Sequence, residues 1–251
     1  MRRLLFALLL LVALPAAADI NDIFAAGETL DFDLTWVLVT GGSARMTVGP
    51  APGDPAHYRI TSIAKSSSSF SFIFSVRDQI ESIINRSDFS TIRYQKNLNE
   101  KGKKKVDTTT IDETRKTATR VRPFKRTQQI AVPKPVFDPL SLVYHLRTLP
   151  LQPGTVQSFT VFADGKVYLL EARITKRESI DTPAGTFKTV VVEPKMLAGG
   201  LFKDEGDLTI WYTDDVRHIP VRIRSDVKVG AITAALRSIR PGVANPEPDS
   251  K

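Results

Sequence analysis

The stretch Asp138-Pro-Leu-Ser-Leu-Val-Tyr-His-Leu-Arg-Thr-Leu149 predicts a helix in a chain that otherwise has the pattern of β-strands. Asp138 is a suitable N-cap, and Pro139 fits the first helical position, where no hydrogen bond is lost. Apolar side chains surround most of this short helix, which is typical of a buried helix, and Pro150 and Gly154 end it. We therefore predict a mainly β protein: a curved antiparallel sheet that forms an open barrel or sandwich, with one central helix near residues 138–149.

Alternating apolar and polar residues predict strands on both sides of this helix. From Leu30 to Leu38 every second residue is apolar, as in a half-buried strand. Asp164-Gly165 separates two alternating runs later in the chain, and it is the strongest short hairpin signal in the sequence. We predict a single β-rich domain over residues 19–240. Residues 241–251 are polar and rich in proline, and we expect them to form a disordered tail.

The first residues of the chain have the pattern of a secretory signal peptide. Arg2 and Arg3 precede an apolar run, Leu4–Leu14, and small residues follow as far as Ala18. The run is shorter than the roughly 20 residues that a spanning helix needs. We predict a signal peptide over residues 1–18, of bacterial type, and a periplasmic protein of the cell envelope. Since the rest of the chain has no second apolar run of spanning length, we expect no transmembrane segment after signal cleavage.

The amino-acid composition excludes several kinds of chemistry and shows where the charge lies. The chain has no cysteine, which excludes disulfides, thiol catalysis and thiolate metal sites. Removing Arg2 and Arg3 with the leader lowers the formal net charge from +8 to +6. Residues 93–126 contain twelve lysines and arginines against four acidic residues, so this segment carries +8 and the rest of the mature chain about −2. The basic character is therefore local.

This basic segment is the first candidate site. Its candidate anion-binding residues are Lys101, Lys103, Lys104, Lys105, Arg120 and Arg122. They suit contact with phosphate or carboxylate groups of lipids, lipopolysaccharide or wall polymer in the envelope. The alternative is a solvated edge of the sheet, because the threonine-rich hairpin over residues 106–121 is polar on both faces and charges on an edge prevent unwanted pairing. Nucleic acid is not an expected partner, since Tyr94 and Phe124 alone interleave with these cations.

Aromatic residues form the second candidate site. Phe70, Phe72 and Phe74 alternate with other residues and predict either a core strand or the lining of a cavity for an apolar ligand. Trp36 and Trp211 are further candidate ligand contacts, although each also suits the core or the rim of a sheet. The expected ligand is a lipid or another amphiphile.

Catalytic and metal signals are weak. Ser141 and His145 are four residues apart on the predicted helix and so share a face, but the Gly-x-Ser-x-Gly elbow of a serine hydrolase is absent. His218 follows Asp214 and Asp215, yet no second histidine is close in sequence. We predict no catalytic residue, no metal ligand and no cofactor.

Several short motifs, taken in order, resemble the bacterial exported family labelled domain of unknown function 3108. They are Gly27-Glu-x-Leu30 with Trp36 and Gly42-x-Ala44, Asp138-x-Leu-Ser-x-x-Tyr-x-Leu-Arg147, Thr182-Pro-Ala-Gly-Thr-Phe187, Trp211-x-Thr-x-Asp215 with Pro220-Val221, and Gly230-x-Ile-x-Ala-x-Leu236. The resemblance spans nearly all of the mature chain and implies a β-rich, exported protein with an open-barrel or sandwich-like fold. It implies no catalytic or binding residues. The basic stretch Lys101–Lys105 and the long tail depart from the family pattern.

Three functional hypotheses follow, in order of preference. The first is a non-enzymatic envelope protein that binds an apolar or amphiphilic molecule within its sheet. The second is a structural or interaction module that docks on anionic envelope material or a protein partner through its basic hairpin. The third is a hydrolase. A cavity inside the sheet favours the first, a filled core with a basic outer face the second, and a cleft containing histidine, aspartate and serine the third.

Overall fold

The computed structural model describes residues 23, 27–68, 75–196, 207–227 and 230–242. The predicted signal peptide and residues 243–251 of the predicted tail lie outside the described residues. So do Phe70, Phe72 and Phe74. Within the described ranges, no helix is both long and apolar enough to span a lipid bilayer.

The described ranges contain fourteen strands and the helix that the sequence predicts. The strands are β1 (Thr29–Trp36), β2 (Val39–Ala51), β3 (Asp54–Ser66), β4 (Arg77–Asn85), β5 (Thr91–Glu100), β6 (Lys103–Asp112), β7 (Thr117–Val121), β8 (Gln128–Ala131), β9 (Val156–Ala163), β10 (Lys166–Thr182), β11 (Gly185–Met196), β12 (Leu208–Thr213), β13 (Pro220–Asp226) and β14 (Ala231–Arg240). The helix, α1, spans Pro139–Leu146 and lies between β8 and β9 in the chain.

All fourteen strands belong to one antiparallel sheet in the order β8-β7-β6-β5-β4-β3-β2-β1-β14-β13-β12-β11-β10-β9. Strands β1 and β14 pair, which joins the two halves of the chain. The edge strands β8 and β9 do not pair, so the barrel stays open as predicted. The edge is β8 rather than the hairpin of β6 and β7, because β8 pairs with β7. Phe137 partly bridges the opening: its N–H donates to the Thr160 carbonyl at 2.9 Å.

Helix α1 packs against the concave side of the sheet. Asp138 caps it by accepting hydrogen bonds from the backbone N–H groups of Leu140 (2.8 Å) and Ser141 (2.9 Å). The Ser141 hydroxyl accepts in return from the Asp138 N–H at 2.9 Å, which completes a capping box. Side chains from β1 to β5 and from β9 to β14 form one apolar core with the helix. The predicted central helix is confirmed; it ends at Leu146, and residues 147–149 continue as turns.

The antiparallel strands give the barrel two ends. At the terminal end, β1 begins and β14 finishes, and the connections β2–β3, β4–β5, β6–β7, β10–β11 and β12–β13 turn there. At the distal end lie the connections β1–β2, β5–β6, β7–β8 and β9–β10, and the strands β3, β11 and β13 end there. The two ends differ in how deeply their charged side chains are buried. The candidate site lies toward the distal end.

Candidate functional site

A cavity of about 190 Å³ lies between α1 and the sheet, toward the distal end. The helix supplies Pro139, Leu142, Val143 and Leu146 to its wall. The sheet supplies mostly apolar side chains from strands on both sides of the helix: Tyr94, Lys96, Val161, Ala163, Asp164, Leu170, Pro194, Met196, Leu208 and Ile210. Because Met196 ends β11 and Leu208 begins β12 at the distal end, the cavity is on that side of the helix.

The period of the strands explains why these side chains face the cavity. In β10, Tyr168, Leu170 and Ala172 are buried on alternate positions, whereas Leu169 between them is exposed. Strand β12 likewise buries Ile210 on its inner face. The cavity is therefore a part of the core in which the helix and the sheet do not meet.

An ion pair borders the cavity. The Lys96 ammonium contacts the Asp164 carboxylate, and both side chains line the cavity wall. Asp164 lies in the β9–β10 turn with φ +48°, beside Gly165 with φ +84°, as the Asp-Gly signal predicts for a tight hairpin. Burial pushes the pKa of Asp164 up, but the hydrogen bond from Lys96 and the charges of Lys96, Lys105 and Arg120 outweigh burial and lower it. Asp164 therefore stays ionised at neutral pH.

Tyr94 is the other polar side chain in the wall. Burial, with the nearby carboxylates of Asp138, Asp164 and Asp107, raises the pKa of Tyr94 well above its usual value. Its hydroxyl is therefore a neutral group at every physiological pH, and it is able to donate or accept a hydrogen bond.

Arg120 lies inside the barrel and not among exposed cations. Its Nε donates to both carboxylate oxygens of Asp107 at 3.0 Å, and its Nη1 donates to the Asp164 carbonyl at 2.5 Å. Arg120 and Asp107 are both buried. The hydrogen bond from Arg120 to Asp107 is the main reason that the pKa of Arg120 is raised. Its guanidinium joins β6 and β7 to the β9–β10 turn, which sets it apart from the anion-binding surface that the sequence predicts.

The remaining predicted anion contacts lie at the distal end. Lys101 lies in the turn between β5 and β6, and Lys103, Lys104 and Lys105 are the first residues of β6; all four are exposed. Arg122 is half-buried and donates to the Gln128 side-chain oxygen at 3.3 Å. The four lysines therefore form an exposed basic group, which we call the lysine turn.

The two tryptophans do not line the cavity. Trp36 ends β1 at the distal end and is 36% exposed. Trp211 lies on the outer face of β12, where its Nε1 donates to Glu178 at 2.7 Å. The phenylalanine candidates, Phe70, Phe72 and Phe74, lie outside the described residues.

The histidine and serine candidates occupy separate places. The Ser141 hydroxyl takes part in the helix cap and lies 3.1 Å from Thr91 Oγ1, not against His145. His145 stacks on Phe137, with ring centroids 4.7 Å apart, and burial lowers its pKa to about 4. His218 Nδ1 is 3.1 Å from the Arg147 carbonyl oxygen. Across the described ranges, no group of three or more metal-binding side chains occurs.

Sequence patterns did not predict which residues line the cavity. Lys96 is the clearest case, because it shares a strand face with the buried Tyr94. A lysine on the apolar face of a strand is a signal that one sequence offers, and it points to a buried partner of opposite charge. That partner, Asp164, is 68 residues away in the chain and was identified only as a turn residue.

The comparisons with known proteins concern family and fold. The model of the family described as "Protein of unknown function (DUF3108)" matches residues 31–237. A β-barrel-like protein of domain of unknown function DUF1849 from Brucella abortus superposes with a TM-score of 0.61. It is 10% identical, and the match covers 88% of this chain and 100% of that chain. This likeness shows the fold alone.

Two further solved structures overlay less well. A presumed lipoprotein from Parabacteroides distasonis is 13% identical, with a TM-score of 0.32 over 87% of this chain and 98% of its own. A presumed exported protein with a YmcC-like fold from Bacteroides fragilis is 11% identical, with a TM-score of 0.34 over the same shares. No curated protein matches the chain.

Proposed function

This chain belongs to the DUF3108 family of proteins of unknown function, and we propose that it binds the apolar part of an amphiphilic envelope molecule in the cavity between α1 and the sheet. The observation that carries this proposal is an apolar cavity of about 190 Å³ bordered by the pair of Lys96 and Asp164. The leader pattern of residues 1–18 supports export to the periplasm, where such molecules are abundant.

The size of the cavity limits what it holds. An apolar protein cavity of about 150 Å³ accepts benzene, whereas pockets for drug-sized ligands measure about 300–1,000 Å³. The cavity therefore has room for the apolar end of a molecule, and the polar remainder extends toward the distal end. Each Å² of apolar surface that leaves water contributes about 25 cal/mol to binding.

The polar groups in the cavity wall suit binding better than catalysis. Among the described lining residues, the ionisable side chains are Tyr94, Lys96 and Asp164. Lys96 and Asp164 neutralise each other, and Tyr94 keeps its proton. These groups can orient a polar head by hydrogen bonds, in the way that a few placed polar groups give an apolar pocket its specificity.

The proposal is tested by titrating the purified protein with decanoate in a calorimeter. The variant Leu170→Phe fills part of the cavity, and Leu169→Phe makes the same change on the exposed face of the same strand. We expect Leu170→Phe to weaken decanoate binding at least tenfold and Leu169→Phe to leave it unchanged. The proposal fails if the wild type does not bind decanoate, or if Leu170→Phe binds it as well as the wild type does.

A second candidate function is docking on anionic envelope material through the lysine turn. The observation that favours it is the exposure of all four lysines at one end of the barrel. Such a group of cations gives weak, rapid and salt-sensitive association with anionic surfaces. Replacing the four lysines by glutamine should reduce flotation with anionic vesicles at low salt. Equal flotation of the quadruple variant and the wild type would leave the lysine turn a solvated feature of the sheet.

A further inference from the structure

Two hairpin tips at the distal end expose large apolar side chains. At the β1–β2 tip, Leu38 is 91% exposed, and its neighbours Val37 and Val39 are more than half exposed. At the β7–β8 connection, Phe124 is fully exposed. Scattered apolar residues on a surface are common. Here they lie in the turns of two separate hairpins at the same end of the barrel.

The backbone at both tips makes these residues more unusual. Val37 has φ +57° and Phe124 has φ +59°. The left-handed region is rare for a β-branched or bulky residue, and glycine, asparagine or aspartate usually occupy such positions in turns. Both tips therefore keep an apolar residue where the turn itself favours a small or polar one. Val37 lies against Gly230 within the fold, whereas an apolar partner at the tips accounts for the exposed Leu38 and Phe124.

Cations lie between and beside the two tips. In the order of the sheet, the lysine turn of β5 and β6 lies between the β7–β8 connection and the β1–β2 tip. Lys125 and Arg126 follow Phe124 directly, and both are exposed. Lysine is depleted in the cores of protein interfaces. Apolar residues interleaved with clustered cations are instead the composition that binds the interface of an anionic membrane.

We infer that the distal end docks on an anionic phospholipid bilayer: Leu38 and Phe124 enter the interface, and the lysine turn lies against the head groups. Because the cavity is on the same side of α1, docking in this orientation directs the cavity toward the lipids. The insertion of Leu38 and Phe124 does not depend on the proposed ligand binding. Only the benefit of directing the cavity toward the lipids rests on that proposed function. Insertion adds an apolar, salt-resistant contribution that the charges of the lysine turn do not provide.

Trp36 is a built-in reporter of this contact, because it lies directly before the β1–β2 tip. The chain has two tryptophans, so the variant Trp211→Phe isolates the fluorescence of Trp36. Vesicles of mixed phosphatidylglycerol and phosphatidylcholine should shift this emission to shorter wavelength, and brominated lipid in them should quench it. Vesicles of phosphatidylcholine alone should have much smaller effects at low salt, since they do not attract the lysine turn.

Variants distinguish the insertion of apolar side chains from the attraction of the lysine turn to anionic lipid. We expect Leu38→Asn and Phe124→Ser each to weaken vesicle binding by roughly tenfold, at low and at moderate salt, because each removes a large apolar side chain from the interface. Val216→Asn is the matched control: Val216 is exposed on the β12–β13 turn at the terminal end, and its replacement should leave binding unchanged. Replacing the four lysines by glutamine should weaken binding mainly at low salt.

Two results would overturn the inference. One is vesicle binding without any quenching of Trp36 by brominated lipid, which means attraction by charge without insertion. The other is vesicle binding by Leu38→Asn and Phe124→Ser equal to that of the wild type or of Val216→Asn. Titration of Leu38→Asn with decanoate in the absence of vesicles keeps the two proposals apart, because the cavity should bind decanoate normally in this variant.

Discussion

The two ends of the barrel hold their charges in different ways. At the terminal end, Arg147 is 0% exposed and donates to Glu28 with both Nη atoms, at 2.6 and 3.1 Å. At the distal end, the pair of Lys96 and Asp164 borders a cavity, and Asp164 keeps partial contact with solvent. The first pair is fully buried, whereas the second lies beside a cavity and is partly exposed.

The surroundings of Arg147 explain this closure. Its Nε donates to the Arg217 carbonyl at 3.1 Å and its Nη2 donates to the Ile23 carbonyl at 3.1 Å. Arg217 also donates to Glu28 at 3.1 Å. A buried ion pair needs such additional hydrogen bonds to offset the loss of hydration. These bonds tie the C-terminal end of α1 to β1 and to the turn between β12 and β13. Burial and satisfied hydrogen bonds therefore give the pair at the terminal end a structural role, whereas the pair at the distal end borders a cavity and keeps partial contact with solvent.

The largest expected effect comes from the helix, whose N-cap Asp138 bonds to the start of β5 and whose C-cap Arg147 bonds to Glu28 before β1. Leu146→Asp places a carboxylate at a buried position, and Lys96, which lines the same cavity, is already paired with Asp164. We therefore expect the free energy of unfolding to fall by several kcal/mol, about the whole stability of many domains. Urea unfolding followed by circular dichroism measures this change. Thr148→Asp, on a half-buried turn residue, is the control and should cost much less. A variant Leu146→Asp that melts within a few degrees of the wild type would show that the helix is not the centre of the fold.

The next prediction compares a buried ion pair with an exposed one. Glu28→Ala leaves Arg147 buried without its carboxylate, and breaking a buried pair in this way costs about 3–5 kcal/mol. Asp33→Ala breaks the more exposed pair with Arg237 and should cost about 1 kcal/mol or less. Urea unfolding of both variants gives the two values. Equal losses would mean that the terminal end is not held by its buried charges.

Acid should destabilise the protein through His145. Because the pKa of His145 is about 4 in the folded protein and 6.5 in the unfolded chain, the unfolded chain binds more protons between these values. Stability should therefore fall as the pH falls from 6.5 to 4, by up to roughly 3 kcal/mol for this group.

The variant His145→Phe isolates this contribution, since a phenyl ring can pack between Phe137 and Phe159 but does not titrate. Burial raises the pKa of Asp138, which works in the opposite direction on acidification, so the difference between the variant and the wild type is the quantity to measure. His218, at the terminal end, also has a lowered pKa because of burial, and it should still titrate in the variant. A constant difference in unfolding free energy from pH 7 to pH 4 would contradict the assignment.

The smallest effect is expected at the lysine turn. Replacing Lys101, Lys103, Lys104 and Lys105 by glutamine should change the melting temperature by about 2 °C or less, because these side chains are exposed at the turn and the start of β6. Differential scanning calorimetry measures this change. A large loss of stability would mean that the lysine turn supports the fold as the terminal end does, and the contrast between the two ends would disappear.

Local sequence was sufficient for several features of this protein. The Asp138 cap with Pro139 predicted the start of the helix, since a cap depends on residues within one turn. Asp164-Gly165 predicted its hairpin for the same reason: the turn depends on the backbone of two residues. Apolar alternation in strands such as β10 predicted an inner and an outer face, and hence a mainly β fold around the helix.

Other features required the tertiary structure. Arg120 looked like an exposed cation because both faces of the β6–β7 hairpin are polar, so alternation does not reveal which face is inside. Ser141 and His145 share a helix face by spacing. In the structure, however, the Ser141 hydroxyl bonds within the capping box and the His145 imidazole stacks on Phe137. The pairs of Lys96 with Asp164 and of Glu28 with Arg147 join residues 68 and 119 positions apart.

The composition and short patterns of the sequence determined the fold class, the helix and the tight turns, because these depend on neighbouring residues. The tertiary structure alone decided which charges are buried, where the cavity lies and which hairpin tips share an end of the barrel. The physical reason is that these properties arise from how distant strands align around the helix, and one sequence does not record that alignment in any local pattern.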